Sequence, residues 1–183
     1  MKIPIYKTEG IVIKRNNWGE RDKLLFIYSQ DFGKILIKAK SLQKKEAKLK
    51  ESLEPFNHLH LMMAHGRSID TIVGAVIINS FPSLKSHLPL VAAAYYLSEI
   101  IDKLIIGPEK DERIWQLILK AFYFLNQNNL EPLKIKELLA KFEWHLLSYL
   151  GYQPSKIKKS YLDFIQDICS QRIESFNFLK EVL

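Results

Sequence analysis

Lysine is the residue through which this sequence declares its chemistry. Lys34, Lys38 and Lys40 fall on one face of an alternating segment. Lys44, Lys45 and Lys48 follow closely, then Lys50, with Glu46 as the only acid in that run. Clustered ammonium groups neutralise phosphates, and the counterions they displace make such binding steeply salt-dependent. If ~5–8 phosphates are engaged, affinity should fall by several powers of ten between low and moderate salt. Arg15 and Arg67 are further candidate contacts. Unpaired bases add a second requirement, a flat apolar ring on which to stack. Trp18, Phe26, Tyr28 and Phe32 are available. Phe26 and Tyr28 share a strand face and read as core. Trp18 lies beside Asn16, Asn17 and Gly19 in an apparent loop and is the candidate platform.

Other chemistries find little support in the residues. The seven glycines are scattered, with no GxGxxG and no Walker loop, and neither a GxSxG elbow nor an HExxH pair occurs. No catalytic constellation and no cofactor is expected, and an ATP-driven mechanism is not indicated. His58 and His60 project from one strand face with His65 following in a turn, but no third metal ligand is evident. They read as histidines on a half-exposed sheet. Lys134, Lys136 and Lys141 sit among Leu138, Leu139 and Phe142 on a helical stretch. That pattern is either an ordinary amphipathic face or a hydrophobic notch rimmed by positive charge. The notch would suit an acidic tail ending in an apolar residue, with Lys141 as the first residue to test and Lys134, Lys136, Leu138 and Phe142 beside it.

Two kinds of element must position these groups. Residues 6–79 read as five strands. The first spans Thr8 to Arg15. The second, Leu24 to Tyr28, turns through Asp31-Phe32-Gly33 into a third. There Ile35, Ile37 and Ala39 alternate with Lys34, Leu36, Lys38 and Lys40, so one set enters a core and the other faces water. The fourth and fifth, Asn57 to Ala64 and Ile69 to Ile78, flank a hairpin turn at His65-Gly66-Arg67-Ser68. The fifth is nearly all apolar, as for a strand covered on both faces. Five short strands with a long connector after the third suit an OB-type barrel, with an SH3-like barrel as competitor.

From residue 84 the period becomes helical. Stripes predict helices from Ser86 to Leu104, Asp111 to Leu125 and Pro132 to Tyr149. A last helix opens on the capping box Ser160-Tyr161-Leu162-Asp163 and runs through Leu179. The expected fold is α+β, with an OB-type nucleic-acid-binding domain over 1–80 and a helical bundle over 81–183.

Charge follows the same division. Residues 1–80 carry fourteen Lys/Arg against eight Asp/Glu, and residues 81–183 thirteen against twelve. The electrostatic partner is therefore expected on the first half. No uninterrupted apolar run is long enough to span a bilayer, and the start has no apolar leader segment. The single cysteine, Cys169, suits a reducing compartment, so a cytoplasmic, nucleoid-associated protein without a membrane partner is expected.

Several strings, taken in order, resemble the RecO family of bacterial recombination mediators. They are Glu9-Gly10-Ile11-Val12-Ile13-Lys14, Gly19-Glu20-Arg21-Asp22-Lys23-Leu24, Gly33-Lys34 and Leu53-Glu54-Pro55-Phe56. Further on come Ser80-Phe81-Pro82, Ala94-Tyr95-Tyr96-Leu97, and Phe142-Glu143 through Leu150-Gly151-Tyr152-Gln153-Pro154. The resemblance spans about residues 8–154. It implies an OB fold packed on a helical domain, and a non-enzymatic protein that binds single- and double-stranded DNA and anneals complementary strands. It further implies contact with the acidic tail of single-stranded-DNA-binding protein (SSB) and with RecR, in loading recombinase during repair. One departure is plain. Family members commonly carry a four-cysteine zinc cluster after the Gly-Tyr-x-Pro string, whereas here only Cys169 follows and no histidine does. The expectation is a short form without that zinc part. Two other readings of the residues stay open: an adaptor whose barrel binds an acidic protein, and an RNA-binding OB module.

Overall fold

The structure is a computed structural model that describes residues 4–19, 22–40, 47–127 and 130–183, with the side chains of 47 and 48 left aside. Two compact units divide the chain: Met1–Ser80 with Ile106–Asp111, and Phe81–Ile105 with Glu112–Leu183. The sequence division at 80/81 contains no hint that Ile106–Asp111 returns to the first unit.

That unit is a closed barrel of five strands in the order β1-β2-β3-β5-β4. The strands are β1 (Ile5–Trp18), β2 (Asp22–Ser29), β3 (Gly33–Ala39), β4 (His58–Ala64) and β5 (Asp70–Asn79), with the helix α1 (Ala47–Ser52) between β3 and β4. Antiparallel β1–β2–β3, antiparallel β4 on both β1 and β5, and a parallel β3–β5 closure give the OB topology rather than the SH3-like one. β1 is longer than its alternation predicts because it serves two neighbours, β4 through Ile5–Ile11 and β2 through Gly10–Trp18. A register shift between Val12 and Lys14 bends it from one to the other.

Alternation places Leu25, Ile27, Ile37 and Ala39 inside, with Val12, Leu59, Leu61, Met63 and Ile72 opposite, and Leu53 at the end of α1 joining the same core. Asn57, buried, donates Nδ2 to the carbonyls of Glu51 and Ser52 at 3.0 and 2.8 Å and so satisfies the end of that helix.

β5 departs from expectation. Val73, Val76, Ile77 and Ile78 are 39–66% exposed, so the strand is not covered on both faces. Its pairing with β3 is confined to Asp70 and Thr71, and beyond them β4 is its only strand neighbour among the described residues.

Among the described residues the second unit holds six α-helices: α2 (Pro82–Ser86), α3 (Leu88–Leu104), α4 (Glu112–Leu125), α5 (Pro132–Tyr149), α6 (Tyr161–Cys169) and α7 (Ser175–Val182). Their apolar stripes bury Leu97, Ile100, Ile101, Trp115, Ile118, Phe122, Ile135, Phe142 and Leu146. The expected final helix is two. Ser170 takes a left-handed backbone, φ 52°, and ends α6. The Glu99 carboxylate on α3 then gathers the next start, accepting from the backbone N–H of Glu174 (3.0 Å) and of Ser175 (2.7 Å) and from the Ser175 hydroxyl (2.5 Å). Burial pushes the Glu99 carboxyl up, but Lys103 and these donors outweigh it and hold it below the usual carboxylate range.

Candidate nucleic-acid interface

The cations predicted to face water do so because of register. Lys14 lies opposite Phe26, and Phe26 opposite Leu36, so the three form a row across the outer face of β1, β2 and β3. In neighbouring rows Leu24 stands opposite Lys38, and Tyr28 opposite Lys34. The Lys14 ammonium lies 5.1 Å from the Phe26 ring centroid. Phe26 is half-buried rather than core, a correction to the sequence reading, and Tyr28 beside it is fully buried. Trp18 is the last residue of β1 rather than part of a loop, and it is 48% exposed.

Beside this face runs a cleft of about 450 Å³ lined by Phe26, Lys34, Leu36, Tyr6, Ser68, Ile69 and Pro108, among others. It opens where β3 stops pairing with β5. The turn between β4 and β5 forms its rim and is held by a compact polar cluster. Tyr6 donates its hydroxyl to Asp70, and the backbone N–H of Gly66 donates to the same carboxylate at 3.0 Å. The Tyr6 ring stacks on His65 at 4.7 Å and meets Phe32 edge-on at 5.1 Å. Burial would raise the Asp70 carboxyl, but the Tyr6 hydroxyl, the Gly66 N–H and His65 together hold it low. Arg67 projects from this turn, exposed.

The sequence-predicted cations do not all meet the same fate. Lys40 is exposed and pairs with no carboxylate among the described residues. Lys34 lines the cleft. Lys38 pairs with Asp22 at 2.7 Å and Arg15 with Glu54 at 2.8 Å. Arg15 stands opposite the core residue Leu25 and clamps the segment after α1, so its guanidinium is committed to the fold. Lys44 and Lys45 lie outside the described residues, as does the side chain of Lys48. Lys14 and Phe26 are what the sequence reading missed. Their cross-strand pairing was the signal, and it needs the β1–β2 register.

On the opposite flank of β1, His58 is buried with Nε2 3.2 Å from Glu9 Oε2, and the exposed His60 places Nδ1 3.6 Å from Glu9 Oε1. Burial lowers the His58 imidazole below its ordinary value, with Glu9 partly offsetting it. The unfolded chain therefore takes up this proton at a higher pH than the folded one. Stability from neutral His58 is complete above about pH 6.5 and is lost as pH falls through that value toward the depressed folded pKa. Urea melts of the parent and of His58→Gln should show a decline between about pH 7.5 and 5.5 that is smaller in the variant. Parallel curves would remove His58 from the pH response.

In the helical unit, a cavity of about 430 Å³ is lined by Tyr96 of α3, Lys136, Leu139, Ala140 and Glu143 of α5, and Phe176, Leu179 and Lys180 of α7. The Tyr96 hydroxyl donates to Glu143 at 2.6 Å, and burial pushes the Glu143 carboxyl up. Of the residues in the expected notch pattern, Lys136 and Leu139 line this cavity. Phe142 is core, Lys134 pairs with Glu137 at 3.2 Å, Leu138 is half-buried and Lys141 is exposed. The wall that the sequence did not reveal is α7, which Glu99 draws against α3.

A closed barrel of this strand order, with cations and a half-exposed ring on its β2–β3 face, belongs to the OB-fold class. The match to known proteins is narrower. Residues 1–81 match Recombination protein O N terminal and residues 86–178 match Recombination protein O C terminal, and the chain belongs to the recombination protein O (RecO) family. Among curated relatives it is similar to DNA repair protein RecO of Dehalococcoides mccartyi (strain ATCC BAA-2266 / KCTC 15142 / 195), 34% identical over 81% of this chain and 57% of the relative. The Roseiflexus sp. (strain RS-1) protein of the same name is 30% identical over 84% and 53%, and that of Clostridium novyi (strain NT) 29% over 97% and 65%. The chain thus spans a little over half to two thirds of the length of these relatives.

Proposed function

We propose that this chain is a DNA-binding recombination mediator acting in repair in the cytoplasm, at the nucleoid. Its barrel grips the sugar–phosphate chain and its helical unit docks partner proteins. The observation that carries the reading is the row Lys14–Phe26–Leu36, flanked by Lys34 and Lys38 and approached by Arg67. It lies on the strand face and loop through which OB folds bind oligonucleotides. Lys40 adds an exposed cation just past the end of β3.

Magnitudes order the events at Phe26. An exposed cation–π contact is worth about 0.5–1 kcal/mol, while stacking an unpaired base is worth ~1–3 kcal/mol. A base entering over Phe26 therefore displaces the Lys14 ammonium from the ring. Lys38, 2.7 Å from Asp22, is engaged within the fold and is not counted among the phosphate contacts. Double-stranded DNA would be held by the cations alone. Screening two phosphate backbones lowers the repulsion opposing their approach, so annealing follows without any chemical step or cofactor.

For partners, the Lys136/Lys180 cavity fits an acidic peptide ending in an apolar residue, such as the SSB tail: apolar walls take the side chain and the two ammonium groups the acids. Contact with RecR is proposed on family membership alone.

The test is an amide chemical-shift map of the labelled chain with oligothymidylate. Shifts concentrated at Lys14, Phe26, Leu36 and Arg67 are expected. A barrel that shifts only with an acidic peptide would establish the adaptor reading instead, and preference for oligouridylate the RNA reading.

A further inference from the structure

The net charge of the second half is small, yet it is unevenly spread. Between Glu143 and Asp163 the chain carries Lys156, Lys158 and Lys159 and no acid. We propose that the loop joining α5 to α6 is a second contact for single-stranded DNA: an unpaired base lies against Phe164 and Tyr152 while Lys156 and Lys158 hold the flanking phosphates.

The loop is built, not merely exposed. Gly151, φ 89°, ends α5, and the next residue returns its N–H to the Leu147 carbonyl at 3.0 Å. Buried Pro154 anchors a short 3-10 turn, Pro154–Lys156, in which the N–H of Lys156 donates to Gln153 at 2.9 Å and that of Ile157 to Pro154 at 3.1 Å. On the far side the Ser160 hydroxyl accepts from the Asp163 N–H at 3.1 Å and caps α6. Hydrogen bonds at both ends thus set where the ammonium groups emerge, which lowers the ordering cost of binding.

Within this frame lies an open cleft of about 570 Å³, lined by Gln153, Lys156, Ile157, Lys158, Lys159 and Phe164. Tyr152 meets Phe164 edge-on, with centroids 5.5 Å apart and planes at 87°. Lys159 is already engaged, paired with Asp167 and 5.7 Å from the Phe164 centroid. Lys156 and Lys158 are exposed and pair with no carboxylate among the described residues.

Cations alone would fit any polyanion. Cations around an aromatic and apolar floor fit a chain that alternates phosphates with flat rings, and only an unpaired strand offers those rings. The site is separate from the barrel face. Two strand-binding surfaces on one chain would raise the effective concentration of one strand near another.

The experiment is ultraviolet cross-linking of the full chain to an iododeoxyuridine-substituted oligothymidylate, with the attached peptides identified by mass spectrometry. Cross-links are expected on the peptide holding Tyr152 or Phe164 as well as on the barrel. The double variant Lys156→Glu/Lys158→Glu should reduce the loop cross-link by about tenfold or more and leave the barrel cross-link in place. Phe164→Leu, which keeps apolar bulk, should reduce the loop cross-link with an unchanged circular-dichroism melt. Cross-links confined to the barrel, or a loop cross-link indifferent to the double variant, overturn the proposal while leaving the barrel reading intact. Cross-links at the loop alone do the reverse. Binding of an acidic peptide at the loop with no DNA cross-link there would reassign it to a protein partner and overturn the proposal as well.

Discussion

Replacing Lys14, Lys40 and Arg67 together by glutamine should weaken binding to single-stranded DNA by roughly 50-fold near physiological salt. That magnitude follows from the loss of three phosphate contacts, each contributing about 0.7 to the logarithmic salt slope. The three are chosen from geometry: Lys14 stands over Phe26, Lys40 is exposed at the end of β3, and Arg67 leaves the β4–β5 turn beside the cleft. Arg15→Gln is the control. It removes the same charge, but that charge is committed to Glu54, so affinity should stay within about twofold even if stability drops. Fluorescence anisotropy with labelled oligothymidylate reads both. Equal losses in the two proteins would mean that net charge, not the β1–β3 face, sets affinity.

The largest expected effect on stability is at Gly33. This first residue of β3 has φ 65°, and a Cβ there would stand 2.1 Å from the Glu109 carbonyl oxygen. Alanine meets two costs. The left-handed backbone costs about 1–2 kcal/mol, and the collision is with backbone, which cannot swing aside as a long side chain can. Ile106–Asp111, the piece of chain that returns to the barrel unit, would have to move. Gly33→Ala should lose about 3 kcal/mol or more. Gly19→Ala separates the two costs, because Gly19 also has φ 65° but a Cβ there meets nothing within 4 Å among the described residues. Its loss should be about 1–2 kcal/mol. Equal urea midpoints for the two variants would show that the approach of Glu109 contributes nothing.

Much of the fold was legible because short-range period and turn chemistry agree with the tertiary answer. Ile37 and Ala39 entered the core and Lys34, Leu36 and Lys38 the outer face, as a period of two requires. Gly33 took the positive φ that a glycine in that turn permits. The stripe from Leu138 to Tyr149 found α5 and the Ser160–Asp163 spacing found the start of α6. What stayed hidden depends on neighbours distant in sequence. Phe26 looked like core because Tyr28 shares its face, and only the register with Lys14 and Leu36 shows it half-exposed. Lys38 and Arg15 looked available until Asp22 and Glu54 were brought to them. The left-handed Ser170 carries no glycine or proline to announce the end of α6, so α7 and the cavity it walls off were invisible. The apolar run of β5 suggested cover on both faces, but strand pairing, not composition, decides how much of a strand is covered.

We propose that the outer β1–β3 face holds DNA by its phosphates. It is tested most directly by the slope of log affinity against log salt for oligothymidylate, measured for the parent chain and for the Lys14/Lys40/Arg67 glutamine variant. The expected parent slope is about −3 or steeper, shrinking in magnitude by about 2 in the variant. A parent slope near zero, or the same slope in both proteins, would contradict it.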